Sequence, residues 1–178
     1  MSHLPYALLV CSSLTAASFE TFESLDAAAI NDFATTTQSV DTPSGLRVIC
    51  TDGLFIVSPF GSQAISTDAN LQTLTFQFPM PVYSVSGWFY DTEINGAPTP
   101  GSLEVSAGGM FLGLTPATPG PSKWTFTVPI SELQVRDVSG FWPTADDVSW
   151  NPTAVPEPGA LASALVMGLG AFWFLRLR

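Results

Sequence analysis

Positive charge is scarce in this sequence of 178 residues, which holds five Lys and Arg against fifteen Asp and Glu and has a formal net charge of −10. Such an acidic chain is repelled by a phosphate backbone, which excludes nucleic-acid binding. Charged residues of both signs make up only 11% of the chain, against about 25% in ordinary soluble domains. The length allows one domain with short appendages.

The first 17 residues are typical of a secretory signal peptide. The apolar stretch from Leu4 to Val10 grades into small residues, and Thr15 and Ala17 suit the −3 and −1 positions of a cleavage site. The region before the stretch, which is usually positive, offers only His3. We expect an exported protein that loses residues 1–17; the alternative is that Leu4 to Val10 forms a first buried strand.

Cysteine and histidine are nearly absent once the leader is removed. Cys11 and His3 leave with it, so the mature chain keeps Cys50 and no histidine. One cysteine cannot form an intramolecular disulfide. Without histidine, mechanisms that use it as a base or a zinc ligand are excluded. The run Val48, Ile49, Cys50 predicts an inert buried thiol.

Residues 18–150 alternate between apolar and polar side chains, as half-buried strands do. This pattern predicts an all-β fold, an antiparallel β-sandwich or jelly roll. We expect one hairpin from Leu46 to Val57 and another across Gly108 and Gly109. The only helical segment expected is Leu25 to Phe33. The strand segments are residues 19–22, 46–57, 74–78, 82–90, 103–107, 110–114, 124–128, 133–137 and 148–150.

Two tryptophans are candidates for contact with a sugar ring. Most tryptophans in a sandwich pack in the core, and that alternative holds for Trp88 and Trp142 too. Trp142 lies between Gly140 and Pro143 in an expected loop, where the core absorbs an aromatic side chain less easily. Trp142, followed by Trp88, is therefore the predicted ligand platform.

Carboxylates from the two ends of the domain suggest a calcium site. Glu20 lies on the expected first strand, and Asp146 and Asp147 precede the last. Sandwich folds often bring these strands together, and calcium prefers oxygen ligands. The alternative is a solvated acidic surface. No other cofactor is expected, and although a hydrolase with paired carboxylates stays open, no pair stands out.

The C-terminus is predicted to anchor the protein in a membrane. Residues 151–158 form a proline-bearing linker, residues 159–175 carry no charge, and residues 176–178 form a basic tail. Seventeen helical residues span about 25 Å, the lower limit for crossing a bilayer. Arg176 and Arg178 would stop the span and face the cytoplasm, with the acidic domain outside. The alternative is a buried core helix.

The same end resembles the PEP-CTERM sorting signal of Gram-negative bacteria. The resemblance rests on a short motif, the apolar span and the basic terminus, in that order; the motif is Val155, Pro156, Glu157 and Pro158. It implies that an exosortase-type membrane protease recognises the motif and releases the domain to the cell surface or exopolysaccharide matrix. Two prolines also favour the extended backbone that a protease accepts.

These observations predict an exported, membrane-anchored surface or extracellular-matrix protein without catalysis of its own. The alternative is a carbohydrate-binding or exopolysaccharide-binding β-sandwich module, stabilised by calcium in one version of that hypothesis.

Overall fold

The computed structural model describes residues 17–31, 36–93 and 96–153. Residues 1–16 of the predicted leader and the whole C-terminal segment from residue 154 lie outside the described residues. Within the described ranges, no helix is both long and apolar enough to cross a membrane.

The described part of the chain is built almost entirely from antiparallel strands, with one helix of a single turn. In chain order the elements are β1 (Ser18–Glu20), α1 (Ala27–Ile30), β2 (Ser39–Asp41), β3 (Arg47–Ile49), β4 (Leu54–Val57), β5 (Ala64–Thr67), β6 (Thr73–Thr92), β7 (Pro98–Thr99), β8 (Glu104–Ala107), β9 (Met110–Leu114), β10 (Pro121–Arg136) and β11 (Trp142–Asn151).

Two long strands, β6 and β10, each contribute to two half-sheets. Residues 73–77 of β6 pair with residues 132–136 of β10 on one side, and residues 75–77 pair with β3 on the other. Strands β8 and β9 extend this β3 half-sheet beyond β10. Residues 84–92 of β6 pair with β11, which in turn pairs with β5 and β1. The β11 half-sheet is completed by three whole strands, β4, β5 and β7, and by the first part of β10.

The two half-sheets pack face to face. The rings of Phe76 and Phe89, which belong to the two parts of β6, have centroids 5.7 Å apart, and those of Phe78 and Trp150 are 5.8 Å apart. All four side chains belong to the buried core cluster. The prediction of an all-β antiparallel sandwich is thus confirmed at the level of class and layering.

Strand β6 is continuous where two strands were expected. Its register against β10 shifts between Gln77 and Val82, and Pro79 and Pro81 lie in that interval, exposed to solvent. Proline has no N–H to give to a ladder, so it is tolerated where the ladder is already interrupted. The prolines therefore mark the change from one half-sheet to the other.

Of the two predicted hairpins, one is confirmed and one is wrong. Strands β8 and β9 pair across Gly108 and Gly109, with Ala107 opposite Met110. The chain from Leu46 to Val57 forms β3 and β4, but β3 pairs with β2 and β6 while β4 pairs with β5. Strands β3 and β4 are neighbours in sequence but do not pair with each other, because each pairs with other strands of the sandwich.

The helix forms a single turn within the expected segment, Leu25 to Phe33. Asp26 caps it by accepting hydrogen bonds from the backbone N–H groups of Ala28 and Ala29, at 3.1 and 3.2 Å. This cap supports a single turn, Ala27–Ile30. Residues 32 and 33 of the expected segment lie outside the described residues.

Cys50 is buried, as predicted, with 1% of its surface exposed. Burial raises the pKa of its thiol, because the apolar surroundings disfavour the thiolate. A protonated, inaccessible thiol is unreactive, so Cys50 serves packing.

Candidate ligand-binding cleft

Strand alternation brings aromatic and acidic side chains to the outer face of the β11 half-sheet. In β6, Phe89 belongs to the core, so its neighbours Trp88 and Tyr90 face outward. Asp146 of β11 lies directly opposite Trp88. Its neighbour along the strand, Ala145, is fully buried, so Asp146 is on the outer face with Trp88 and Tyr90. A carboxylate and two aromatic rings are thereby placed side by side.

A bulge in β11 adds a second carboxylate to the same face. The register against β6 shifts between Asp146 and Ser149, so β11 contains one residue more than its partner there. Asp147 takes up the bulge with a left-handed backbone, φ 52°. In a regular strand Asp147 would point inward; the bulge lets both aspartates face outward while Val148 returns to the core.

The loop between β4 and β5 places a third aromatic ring over this face. Phe60 is 57% exposed, and its ring centroid lies 6.1 Å from that of Trp88 and 5.6 Å from that of Tyr90. The enclosed space, hereafter the aromatic cleft, has a volume of about 340 Å³. The lining residues are Phe60, Ser62, Trp88, Tyr90, Asp146 and Asp147.

Asp146 is nearly buried but hydrogen-bonded. It is 6% exposed and accepts hydrogen bonds from the Ser62 hydroxyl and from the N–H of Asp147, both at 2.8 Å. Burial raises the pKa of its carboxyl group, the two hydrogen bonds oppose that shift, and the charge of Asp147 adds to it. The Asp147 side chain is exposed. The cleft therefore contains one carboxylate that is fixed by hydrogen bonds, Asp146, and one that is open to solvent, Asp147.

Tyr90 has a hydroxyl group that forms no hydrogen bond with any other described residue. Its side chain is 1% exposed, yet the hydroxyl oxygen has no hydrogen-bond partner. Burial, followed by the charges of Asp146 and Asp147, raises the pKa of this phenol above its ordinary range. The group therefore stays protonated, and its hydrogen is a donor without an acceptor beside the cleft that Tyr90 lines.

A chain of hydroxyls forms the floor beside the aromatic cleft. The Thr92 and Thr144 hydroxyl oxygens are 2.9 Å apart, Thr144 donates to Ser66 at 2.9 Å, and Ser66 donates to the Pro143 carbonyl at 3.3 Å. All three hydroxyl-bearing residues are buried. These bonds connect β5, β11 and β6 across the sheet and make the floor rigid.

Trp142 lies in a second, smaller cavity on the same side of the sheet. This Trp142 pocket has a volume of about 140 Å³. Its lining combines three apolar side chains, two hydroxyls and two carboxylates. These are Phe55, Val57, Ser66, Thr67, Asp68, Glu93 and Trp142. Trp142 is half-buried at the start of β11, so the expectation that it occupies a loop is wrong.

The structure thus separates the two predicted platform residues. Trp88 lines the aromatic cleft and Trp142 the neighbouring pocket. Sequence reasoning missed Phe60, Tyr90 and Ser62. The signal for Phe60 was present, because Phe60 lies between Pro59 and Gly61 in a turn, the same context that singled out Trp142. Tyr90 gave no such signal, since it belongs to an apolar strand.

The predicted carboxylate triad for calcium is not assembled. Glu20 accepts hydrogen bonds from the Phe22 N–H at 2.9 Å and from the Ser44 hydroxyl at 2.7 Å. Asp146 and Asp147 stay together without it, because β1 pairs Glu20 with Val148, beyond the bulge. In the part of the chain that the structure covers, no group of three or more acidic, His or Cys side chains is arranged to hold a metal ion.

The sorting residues cannot be placed on this framework. The motif of residues 155–158, together with Arg176 and Arg178, lies outside the described residues.

Comparison with known proteins gives similarity in structure only. No protein-family model matches the sequence, and no curated protein does. A CBM32 module from a family 31 glycoside hydrolase of Clostridium perfringens has 6% identity and a TM-score of 0.43, covering 62% of this chain and 96% of that one. A family 29 carbohydrate-binding module has 8% identity and a TM-score of 0.44, covering 68% and 95%.

A third solved structure, a family 32 carbohydrate-binding module in complex with galactose, also from C. perfringens, has 16% identity and a TM-score of 0.42 over 64% of this chain and 97% of that one. At such scores the function has to be argued from the site itself.

Proposed function

We propose that this protein is a non-catalytic carbohydrate-binding ectodomain that holds a sugar of an extracellular polysaccharide in the aromatic cleft. The observation that carries the proposal is the convergence of Phe60, Trp88 and Tyr90 on two adjacent carboxylates. A cleft volume of about 340 Å³ falls within the range of about 300 to 1,000 Å³ typical of small-molecule sites.

The chemistry of the cleft matches both faces of a pyranose ring. The apolar C–H face of a sugar packs on an aromatic ring, and Trp88 and Phe60 are the more exposed rings of the cluster. Sugar hydroxyls donate to carboxylates, and Asp147 is exposed to receive them. The Tyr90 hydroxyl is a donor in need of an acceptor, which a sugar oxygen supplies.

Affinity measurements on a panel of polysaccharides test this proposal. We expect saturable binding by the full-length protein and a loss of about tenfold or more, roughly 1.4 kcal/mol, in Trp88→Ala. Phe111→Ala is the matched control: Phe111 is 61% exposed and lines a cavity formed by other strands. Saturable binding that Trp88→Ala leaves intact, or that Phe111→Ala weakens equally, would place any sugar site elsewhere.

We further propose that the domain reaches its polymer by export and sorting. The support is the sequence alone: the leader of residues 1–17, and the motif, span and basic tail of residues 155–178. In this proposal an exosortase-type protease in the membrane reads Pro156, Glu157 and Pro158 and delivers the domain to the cell surface or matrix. Alanine at all three positions is expected to leave full-length protein in the membrane fraction; unchanged processing would contradict the proposal.

A further inference from the structure

The aromatic cleft and the Trp142 pocket share an acidic character. Asp146 and Asp147 line the first, and Asp68 and Glu93 line the second. Among the described residues that line either cavity there is no Lys, Arg or His. A glycan with carboxylate or sulfate groups would therefore be repelled from both, and a positively charged glycan attracted.

A positively charged ligand also offsets the electrostatic cost of removing water from the carboxylates of the aromatic cleft. Asp146 and Asp147 are adjacent, and the charge of Asp147 disfavours ionisation of Asp146. A neutral sugar that covers the cleft removes water from the exposed carboxylate of Asp147, beside the buried one of Asp146, without supplying a compensating charge, which is costly. An ammonium group supplies that charge together with three hydrogen-bond donors.

Tyr90 provides an independent sign that the cleft takes a ligand. Tyr90 lines the cleft, its side chain is more than nine-tenths buried, and its hydroxyl oxygen has no hydrogen-bond partner among the described residues. A buried donor without an acceptor costs about 1 to 3 kcal/mol. A ring that carries hydroxyl oxygens and an amine beside one another satisfies both Tyr90 and the carboxylates, whereas a bare cation satisfies only the latter.

The two cavities are spaced for a chain of sugars. Trp142 precedes Asp146 by four residues on β11, a distance of about 13 Å along a strand. The Trp142 pocket, at about 140 Å³, is below the size of an independent ligand site. It suits a further sugar of a chain whose main contact lies in the aromatic cleft, with the hydroxyl floor between them.

We infer that this groove binds a linear polysaccharide whose sugars carry free, positively charged amino groups. The inference rests on the proposed function, since it names the class of sugar that the same cleft prefers. It excludes neutral and anionic glycans as the best ligands.

The test compares two oligosaccharides of equal length that differ only in acetylation: hexamers of glucosamine and of N-acetylglucosamine. Titration calorimetry is carried out with the full-length protein in detergent at about pH 6, where amines are protonated. We expect the free-amine hexamer to bind at least about tenfold more tightly. We expect this preference to shrink as salt rises.

Three variants and two competitors make the outcome decisive. Asp147→Asn should reduce the preference, Trp88→Ala should weaken both hexamers, and Glu104→Gln, outside the groove, should change neither. Equal binding of the two hexamers with Trp88 dependence overturns the inference and leaves the proposed function standing; absence of binding to any glycan overturns both. Tight binding of oligolysine that is insensitive to Trp88→Ala also overturns the inference. So does displacement of the hexamer by calcium at an ionic strength at which sodium chloride leaves it bound.

Discussion

The two parts of β6 share one core but present different surfaces. Residues 73–77 and 84–92 belong to different half-sheets, and each sends a phenylalanine, Phe76 or Phe89, into the same ring contact. Outside, each part borders a cavity of about 340 Å³. The β3 half-sheet cavity has a mixed lining of polar groups, one carboxylate, one guanidinium and one aromatic ring. Its residues are Thr73, Glu104, Ser106, Gly109, Phe111, Gln134 and Arg136.

The difference lies in what each surface leaves unsatisfied. Glu104 and Arg136 stand opposite one another in register, so charge is balanced within the β3 half-sheet cavity. The aromatic cleft, equal in size, carries two carboxylates with no cation and a buried hydroxyl with no partner. Size alone therefore does not mark a binding site; unmatched charge and unmatched hydrogen bonds do.

The largest expected effect tests the shared core. Phe76→Ala and Phe89→Ala should each lower the free energy of unfolding by about 3 to 5 kcal/mol, since both rings are fully buried. Urea unfolding measures both, with Phe111→Ala as an exposed control that should cost far less. If one of the two core variants behaved like the control, the two parts of β6 would not depend on a common core.

The next effect is centred on the second part of β6. Asp91 is fully buried, and burial raises its pKa from 3.8 to about 6, with a further contribution from Asp137 and an opposing hydrogen bond from Ser139. Between these two pKa values the folded state binds more protons than the unfolded state, so the free energy of unfolding falls as pH rises through about 6. Asp146, whose pKa is also raised, acts in the same direction.

Thermal unfolding at about pH 5 and about pH 7 measures this dependence, which we expect to be on the order of 1 to 2 kcal/mol. Asp91→Asn should remove most of it, because the amide cannot ionise. Burial alone would raise the pKa of Asp137, but hydrogen bonds from Ser139, Gly140 and Phe141 lower it, so Asp137 contributes only in stronger acid. A profile that Asp91→Asn leaves unaltered would show that the pH dependence arises elsewhere.

A smaller effect concerns the bulge at Asp147. Its left-handed backbone is strained for a residue with a Cβ atom, and glycine removes that strain. Relief of about 1 to 2 kcal/mol of strain outweighs the roughly 0.5 to 1 kcal/mol that glycine costs in a strand. Asp147→Gly should therefore stabilise the fold by up to about 1 kcal/mol in urea unfolding while weakening glycan binding. Asp147→Asn separates the two, because asparagine tolerates this backbone and lacks the charge. A less stable glycine variant would mean that the Asp147 side chain holds the bulge together.

The smallest effect belongs to the other cavity. Glu104→Gln removes one charge opposite Arg136 and should change stability by under about 0.5 kcal/mol, in keeping with a cross-strand pair of which Arg136 is exposed and Glu104 half-buried. Glycan affinity should not change. A clear loss of affinity in this variant would erase the distinction between the two cavities.

The class of fold was predictable because alternation records which side of a strand is buried. Residues 74–78 and 82–90 alternate as expected, yet nothing in their pattern shows that they form one strand across Pro79 and Pro81. The partner of β4 was equally hidden, because pairing depends on contacts distant in sequence. Local turn chemistry predicts a hairpin correctly only where no other strand competes, as at Gly108 and Gly109.

The candidate site was predictable in part. Trp88 and the pair of Asp146 and Asp147 were identified from their residue types, but that they share a cleft depends on a bulge with no marker in the sequence. Asp147 is not the glycine that usually occupies a left-handed position. Calcium was expected from the acidic residues at both ends, and only the register of β1 shows that Glu20 is occupied elsewhere.

Strand β11 carries one wall of the groove and is the last strand of the described residues, with β6 on one side and β1 and β5 on the other. Antiparallel hydrogen bonds run perpendicular to the strands. A pull applied at Asn151 along the strand axis would thus load these bonds together in shear instead of opening them one by one. Strand β11 therefore resists a force applied along its own axis at Asn151.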